Sequence, residues 1–391
     1  MKFNLGLIAL SVGAFGIGVT EFAPMGLLPV IATDLDVSIP VAGLLISAYA
    51  LGVMIGAPLM TLTTGRVPRR TLLIALAGIF TLGNLLAAVS SGYGMFLFAR
   101  IVTSLNHGAF FGVGSIVAAS LVPPERRAGA VAAMFMGLTI ANVVGVPLAT
   151  WGGEYLGWRM AFWGIAGLGI VTMVALRLTL PSLPAPKSGN ALAELRALRR
   201  GKVLGALALT VVGSSAMFAV FTYIAPILRD VTHASLGFVT AMLVTYGVGM
   251  TLGNWLGGRF ADRSVDRTLI VTLGGLTAIL IAFALLMPFI APTPIIIFLW
   301  GVASFALVPP LQVRVMSAAV DAPNLASSVN IGAFNLGNAI GAALGGAVIA
   351  SGLGYPAVAL AGAATSAIGL VAVLIAVGRA PVPADQQLCR T

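Results

Sequence analysis

Charged side chains are scarce in this chain of 391 residues, in which Asp, Glu, Lys and Arg make up only 8% of the sequence. An average soluble domain carries about 25% charged residues, so this sequence cannot build an ordinary water-facing surface. Hydrophobic residues account for 59% of the chain. The composition therefore excludes a soluble protein and indicates that lipid surrounds most of the folded chain.

Residues that bind metals or carry redox chemistry are scarce as well. The chain has two histidines and a single cysteine, Cys389, which cannot form an internal disulfide. The sequence also lacks a Gly-rich phosphate-binding loop, a nucleophile elbow and a zinc-ligand spacing. We therefore expect no metal and no cofactor, and we expect an ion gradient, not ATP, to supply the energy.

What the sequence does contain is a series of long apolar runs. A helix needs about 20 apolar residues to cross the hydrocarbon core, because lipid offers no partner to an unpaired backbone amide. Twelve runs reach that length, which predicts an all-α membrane protein with 12 transmembrane helices. Their limits are 5–31, 40–63, 71–91, 94–120, 127–151, 159–180, 203–226, 236–258, 268–290, 295–317, 324–350 and 354–378.

The basic residues are unevenly distributed between these runs. If the N-terminus lies in the cytoplasm, all but three of the 21 Lys and Arg residues fall in cytoplasmic loops or tails. Only Arg159 and Arg229 fall outside, and Arg100 lies within a helix. Because Lys and Arg are retained in cytoplasmic loops, we predict a multi-pass protein of the bacterial inner (plasma) membrane with both termini cytoplasmic. The net charge of +10 reflects this topology and does not indicate nucleic-acid binding.

The two halves of the chain resemble each other. The segment R66-V-P-R-R-T-L-L-I-A-L-A-G78 matches R263-S-V-D-R-T-L-I-V-T-L-G-G275 at an offset of about 197 positions. We therefore predict two six-helix bundles, residues 1–180 and 203–391, joined by a cytoplasmic linker at 181–202. The second bundle is expected to end in a short cytoplasmic tail.

One loop carries a recognisable motif. The segment G258-R-F-A-D262-R263-S-V-D-R267 between helices eight and nine resembles the GxxxD(R/K)xxx(R/K) signature of the major facilitator superfamily. The resemblance implies a gating role for Gly258, Asp262, Arg263 and Arg267. The equivalent loop between helices two and three keeps the basic residues but has Gly65 where the family usually has Asp.

Other segments are similar to one branch of that superfamily, the drug/proton antiporters. Helix four carries R100-I-V-T-S-L-N-H107-G-A-F-F-G112, and helix five carries G137-L-T-I-A-N142-V-V-G145-V-P147, which resembles the Gly/Pro signature of exporters. The segments T20-E-F-A-P-M-G-L-L-P29 and V308-P-P-L-Q312 resemble the arabinose-efflux-permease-like members. The resemblance implies the major facilitator fold, proton-coupled export by alternating access, and gating by Gly145 and Pro147.

Three ionisable residues lie inside the predicted helices. A charge at mid-bilayer costs roughly 2.5–3.5 kcal/mol on insertion scales, so Glu21, Arg100 and His107 are candidates for proton coupling. A buried carboxyl group favours its neutral form, and we hypothesise that Glu21 alternates between a protonated and a substrate-engaged state. The alternatives are structural: Glu21 and His107 hydrogen-bond to neighbouring helices, and Arg100 extends to the membrane interface.

Aromatic and amide side chains within the helices are candidates for substrate contacts. Ring faces and flexible side chains accommodate varied apolar ligands, and we name Phe110 and Tyr223 for this role together with Glu21, Asn142 and Asn335. The expected partners are a small molecule, protons and the bilayer, for a protein acting as a monomer. Drug-like compounds, sugars and amphipathic metabolites are all compatible with the sequence.

Two alternative functions remain open. A proton-coupled uptake symporter or a facilitator would need the same fold. A membrane prenyltransferase-type enzyme is suggested by the spacing of Asp262 and Asp266, but it needs a second acidic pair, and Asp34 and Asp36 fall on the opposite side of the predicted membrane. We therefore expect a transporter, not an enzyme.

Overall fold

In the computed structural model, 12 helices are long and apolar enough to cross a membrane. The structure describes residues 4–64, 66–123, 127–182, 198–320 and 323–378. The unbroken helices are α1 (Leu5–Gly26), α2 (Ile39–Thr63), α3 (Arg69–Ala88), α4 (Tyr93–Ser120), α6 (Trp158–Thr179), α8 (Leu236–Ala261), α9 (Val265–Leu286), α11 (Pro323–Ala350) and α12 (Gly354–Gly378). Three others, α5, α7 and α10, are each interrupted.

The interruptions have local causes. Helix α5 consists of Arg127–Ile140, a π-helical turn at Ala141–Gly145 and Val146–Leu156. Pro147 is the second residue after the π turn and has no backbone N–H to donate, so the regular hydrogen-bond ladder cannot pass through it.

Prolines also accompany the other interruptions. Helix α10 consists of Thr293–Ala306 and Val308–Ala318, and the second piece has proline in its first turn. Helix α7 consists of Gly201–Phe221 and Ile224–Asp230. The predicted first run extends to residue 31, but α1 ends at Gly26 and a short helix, Leu28–Asp34, follows it with proline in its first turn.

The two halves use equivalent helix contacts. In the first half α5 lies against α1, where a Cβ on Gly137 would come within 2.0 Å of the Ser11 carbonyl oxygen. In the second half α11 lies against α7 in the same way, because a Cβ on Gly341 would come within 2.5 Å of the Ser215 carbonyl oxygen. Small residues thus allow backbone-to-backbone approach at both places.

Two helix pairs make long contacts between the first six helices and the last six. Helix α2 packs along α11, where the Ser47 hydroxyl donates to the Ala339 carbonyl at 3.1 Å. Helix α5 packs against α8, where a Cβ on Gly247 would lie 2.7 Å from the Asn142 carbonyl oxygen. One hydrophobic core is formed entirely by residues of the first half, and a larger one includes residues of both halves.

The predicted fold class is confirmed, and the predicted helix limits agree with the observed bounds to within a few residues apart from the break after Gly26. The division into two bundles at 181–202 stays a prediction, since most of that linker lies outside the described residues. Gly65 and Cys389 lie outside them as well.

Candidate functional site

Four polar side chains form a buried cluster within the first half. Glu21 comes from α1, Tyr49 from α2, and Arg100 and His107 from α4, and all four are buried. We call them the polar cluster. Helices α2 and α4 approach closely at Gly52, where an added Cβ would lie 1.9 Å from the Ser104 Oγ. This close approach places the tyrosine beside the histidine.

The histidine lies between the carboxyl group and the phenol. The Tyr49 hydroxyl lies 3.1 Å from His107 Nδ1, within hydrogen-bond distance. The nearer Glu21 oxygen, Oε2, lies 3.9 Å from the same nitrogen, which is beyond hydrogen-bond distance. A displacement of about 1 Å would therefore be enough to bring the carboxyl group and the imidazole into contact.

Arg100 is the fourth member of the polar cluster and contacts the ring of Tyr49. Its guanidinium carbon lies 4.2 Å from the centre of the Tyr49 ring, in a cation–π arrangement. Its Nη1 donates to the Thr20 carbonyl at 2.6 Å, on the residue before Glu21. Arg100 is 1% exposed and does not extend to the interface. Its Nε and Nη2 have no hydrogen-bond partner among the described residues.

This arrangement can hold and transfer a proton. A neutral imidazole can accept a hydrogen bond from Tyr49 at Nδ1, whereas an imidazolium donates from that atom. Glu21 and His107 can therefore share one proton, either as carboxylic acid and imidazole or as carboxylate and imidazolium. The hydroxyl of Tyr49 is able to adapt to both states because it is both donor and acceptor.

A cavity of about 740 Å³ lies between the two halves. It is lined by the second halves of α4, α8 and α10 and by the first halves of α5 and α11, so it reaches from the middle of the bundle toward the side where α1 begins and α12 ends. We call this the terminal side and the opposite one the far side. Phe111 lines the cavity and also contacts His107, with ring centres 5.2 Å apart.

The far side is closed by contacts between the halves. Glu154 at the end of α5 forms an ion pair with Arg229 at the end of α7. Deeper in the bundle, the Phe22 ring of α1 lies 6.1 Å from Phe218 and 6.0 Å from Phe221. Among the described residues, the halves are in contact on the far side, and the cavity separates them on the terminal side.

The residues predicted to contact substrate occupy different surroundings. Asn142 lines the cavity. Phe110 is buried in the core of the first half, Tyr223 donates its hydroxyl to the Ala342 carbonyl at 2.8 Å, and Asn335 donates to Ile331 within its own helix. Glu21 lies in the polar cluster and not on the cavity wall. In this conformation the predicted substrate residues do not form one site.

The predicted gating residues lie in two places. Gly145 and Pro147 lie at the π turn of α5, where a Cβ on Gly145 would meet Val19 of α1 at 2.4 Å. Gly258, Asp262, Arg263 and Arg267 lie at the turn between α8 and α9 on the terminal side.

An ion pair lies beside that turn. Asp266 pairs with Arg314 of α10 at 2.5 Å, so its partner is not one of the neighbouring arginines of the turn. In the first half Arg70, one residue after the position equivalent to Asp266, donates to the carbonyl of Arg177. Both contacts tie the start of one helix to the end of another within the same half.

Sequence reasoning missed Tyr49, Phe135 and Gln312. Tyr49 belongs to the polar cluster, and the other two line the cavity. One signal was available for Tyr49: tyrosines in membrane helices concentrate at the interfaces, and this one lies in the middle of α2. Gln312 ends the segment V308-P-P-L-Q312 that resembles the family, but that resemblance implied no role for it, and no comparable signal distinguishes Phe135.

Comparison with known proteins gives consistent matches. The sequence profile of the Major Facilitator Superfamily matches residues 10–330. The chain is 56% identical over 385 residues to the inner membrane transport protein YdhP of Escherichia coli K12, covering 97% of this chain and 98% of that protein. It is 33% identical over 358 residues to a chloramphenicol resistance protein of Streptomyces lividans, covering 90% of each. The crystal structure of a D-xylose–proton symporter superposes with a TM-score of 0.76 at 16% identity, covering 94% of this chain and 95% of that one.

Proposed function

This chain belongs to the major facilitator superfamily of membrane transporters, and from that premise we propose that it exports a small molecule in exchange for protons. Its family is one of transporters and not of enzymes, so the prenyltransferase alternative is wrong. The relative YdhP is described as an inner membrane protein. We place this chain in the same membrane, as a monomer with both termini in the cytoplasm.

The polar cluster is the observation that carries the proton-coupling part of the proposal. A carboxyl group, an imidazole and a guanidinium are buried in the first half within reach of one another. Burying such groups in a membrane protein is costly, and they commonly mark proton pathways. We assign the exchange of the proton to Glu21 and His107. We assign to Arg100 the role of a fixed positive charge that offsets the negative charge of Glu21 when it is ionised.

The cavity agrees with export but does not distinguish it from uptake, because both kinds of transporter pass through a state open to the cytoplasm. With the terminal side in the cytoplasm, as the distribution of Lys and Arg predicts, the cavity is open to the compartment from which an exporter takes its substrate. Release then requires the far side to open, which separates Glu154 from Arg229. Rocking of the two halves about the cavity would alternate these states.

The remaining predicted residues have roles in this cycle. Asn142 contacts substrate in the cavity, and Gly145 and Pro147 give α5 a bend and a close contact with α1 that can change as the halves rock. Gly258, Asp262, Arg263 and Arg267 form the turn that must move when the terminal side closes. Phe110, Tyr223 and Asn335 can contact substrate only in a conformation other than the present one.

The proposal is tested by substrate-induced proton release from inverted membrane vesicles. Vesicles with an acidic lumen receive chloramphenicol or a sugar panel, and recovery of the fluorescence of a pH-sensitive dye reports proton exit. Wild-type protein should give recovery, and Glu21→Gln at equal expression should abolish it. The matched control Asp36→Asn removes an exposed carboxyl group outside the helices and should respond as wild type.

Two results would contradict the proposal. An equal response from Glu21→Gln would remove this residue from the proton pathway, since glutamine cannot exchange a proton. Further acidification of the lumen on substrate addition would indicate that protons and substrate move together, as in an uptake symporter. A facilitator would move labelled substrate with no change in dye fluorescence.

A further inference from the structure

The cavity wall contains no ionisable side chain among the described residues that line it. Its polar groups are amides and hydroxyls, and the remainder of the wall is apolar. Transferring an ionised group from water into such surroundings is costly unless a charged partner is present. Glu21 supplies no such partner here, because it lies beyond Phe111 and His107 and not on the wall.

The first half contributes an aromatic surface to the cavity. Phe135 of α5 is stacked on Phe111 of α4, with ring centres 5.0 Å apart and planes inclined by 14°. Both rings line the cavity together with Leu138, but Phe111 is buried whereas Phe135 is only partly buried. Two stacked rings anchored in the core form a rigid apolar face, which suits a flat ring of a ligand.

The second half contributes hydrogen-bonding groups that are held in place. Gln312 of α10 lines the cavity and accepts from Asn330 Nδ2 at 2.6 Å, while its own Nε2 donates to Ser327 Oγ at 2.6 Å. Asn330 is buried and accepts from the Thr210 hydroxyl at 2.7 Å. This chain of bonds fixes the orientation of the Gln312 amide. Asn254 of α8 adds an exposed amide to the same wall.

We propose that the cavity binds an uncharged amphipathic molecule, with a flat apolar ring against Phe135 and hydrogen-bonding groups against Gln312 and Asn254. The inference rests on the proposed export function and specifies its substrate class. It also separates the substrate site from the polar cluster. Substrate and proton then do not compete for Glu21, and their coupling passes through the packing of Phe111 between the two sites.

Three related probes that differ in charge test the inference. Chloramphenicol is neutral, the amine left after removal of its acyl group is a cation, and its hemisuccinate is an anion, while all three carry the same nitrophenyl ring. Each competes with radiolabelled chloramphenicol for purified protein in detergent, without a proton gradient. We expect the neutral compound to bind at least about tenfold more tightly than either charged analogue, a difference of 1.4 kcal/mol.

Variants locate the binding site. Phe135→Ala should weaken chloramphenicol binding about tenfold through lost ring contact, whereas Phe98→Ala, at a ring that is 58% exposed on the outer surface of α4, should not. Asn254→Asp adds a charge to the wall at an exposed side chain, and it should improve binding of the amine about tenfold. Ser351→Asp adds the same charge at an exposed position on the far side and should leave binding of the amine unchanged.

The inference is wrong if chloramphenicol does not bind saturably, if the three probes bind equally, or if Phe135→Ala and Asn254→Asp both leave binding unchanged. Binding at equilibrium does not require transport, so the two proposals fail separately. Neutral-selective binding without proton release would contradict proton-coupled export alone. Proton release by wild-type protein together with equal binding of all three probes would contradict the neutral site alone.

Discussion

At the scale of single residues, the polar cluster centres on Nδ1 of His107, which has both Tyr49 and Glu21 as neighbours. Tyr49 is within hydrogen-bond distance of Nδ1, and Glu21 is just beyond it. The contact between Tyr49 of α2 and His107 of α4 is a hydrogen bond to a neighbouring helix, which is the structural role that the sequence suggested for His107. Because Glu21 lies near the same nitrogen without bonding to it, His107 can keep its hydrogen bond to Tyr49 and still be a partner for proton exchange with Glu21.

Removing the phenol of Tyr49 is expected to slow proton exchange. Tyr49→Phe keeps the ring under Arg100 but loses the hydroxyl that adapts to both states of His107. Positioned acid–base groups contribute about 100-fold or more to such steps, so we expect substrate-induced proton release to fall at least about tenfold. Tyr93→Phe, which loses a hydroxyl bonded to the Val41 carbonyl at 2.8 Å, is the control. Equal rates in both variants would mean that Tyr49 has only a packing role.

Asp34 on the far side accepts hydrogen bonds from two side chains of α6. Arg159 donates to its Oδ2 at 2.6 Å and Trp158 at 3.0 Å, and these bonds hold the pKa of the Asp34 carboxyl below its usual value of 3.8. A lowered pKa in the folded state stabilises the protein above pH 3.8, and this contribution is lost as the pH falls through the folded-state pKa.

Asp34→Asn should therefore lower the melting temperature slightly at pH 7, since exposed ion pairs are worth roughly 0.2–1 kcal/mol. The difference from wild type should shrink as the pH approaches 3. Thermal unfolding in detergent across this range measures it. A difference that grows toward low pH would contradict the assignment.

At the scale of helices, α5 combines a π turn, a proline and a glycine contact with α1. The π turn widens the helix next to Pro147, Gly137 lets the backbones of α5 and α1 approach, and Gly145 leaves room for the Val19 side chain of α1. Asn142 lies in the turn, lines the cavity and faces Gly247 of α8 with its carbonyl. One irregular helix thus contacts the cavity, the first helix and the second half.

Gly137→Ala tests this contact. The added methyl group would lie 2.0 Å from the Ser11 carbonyl oxygen, so α1 and α5 must separate. Overpacking of this kind costs about 1–3 kcal/mol, and the melting temperature in detergent should fall. Gly129→Ala lies on the same helix with no atom within 4 Å and should raise stability by about 0.5–1 kcal/mol through helix propensity. Equal effects of the two substitutions would contradict the close contact.

At the scale of the whole molecule, the halves meet in two long helix contacts, α2 with α11 and α5 with α8, and in the ion pair that closes the far side. The helix contacts can persist while the halves rock, whereas Glu154 and Arg229 must separate for the far side to open. The pair is partly buried. It therefore biases the equilibrium toward the state that is open on the terminal side.

Glu154→Gln should shift that equilibrium. Loss of about 1 kcal/mol from one state changes the population ratio about fivefold, so the far-side-open population should rise by at least that factor. Spin labels at Ser91→Cys and His233→Cys, both exposed on the far side, in a Cys389→Ser background report the opening as a longer distance. Asp266→Asn breaks an ion pair within one half and is the control. An unchanged distance distribution in Glu154→Gln would contradict the role of this pair.

The sequence by itself determined the fold class, the helix limits and three of the four members of the polar cluster, Glu21, Arg100 and His107. These features depend only on neighbouring residues in the sequence. The length of an apolar run decides whether it can span the bilayer. An ionisable residue within such a run is unusual wherever its partners lie. The family signature at Gly258–Arg267 is likewise a contiguous sequence motif, so it can be recognised without the structure. The effect of Pro147 on α5 is local too, because its missing N–H acts within its own helix.

Only the tertiary structure decided which side chains meet. Tyr49 and His107 are 58 positions apart, and Gln312 and Asn330 are 18 apart. Their contacts depend on how each helix is rotated about its axis and how closely small residues let neighbouring helices approach. Phe110 and Phe111 are both buried in the core of the first half, but the same rotation brings only Phe111 to the border of the cavity. A rotation of about 100° between successive residues of a helix separates these surroundings, and apolar composition alone does not reveal that rotation in helices surrounded by lipid.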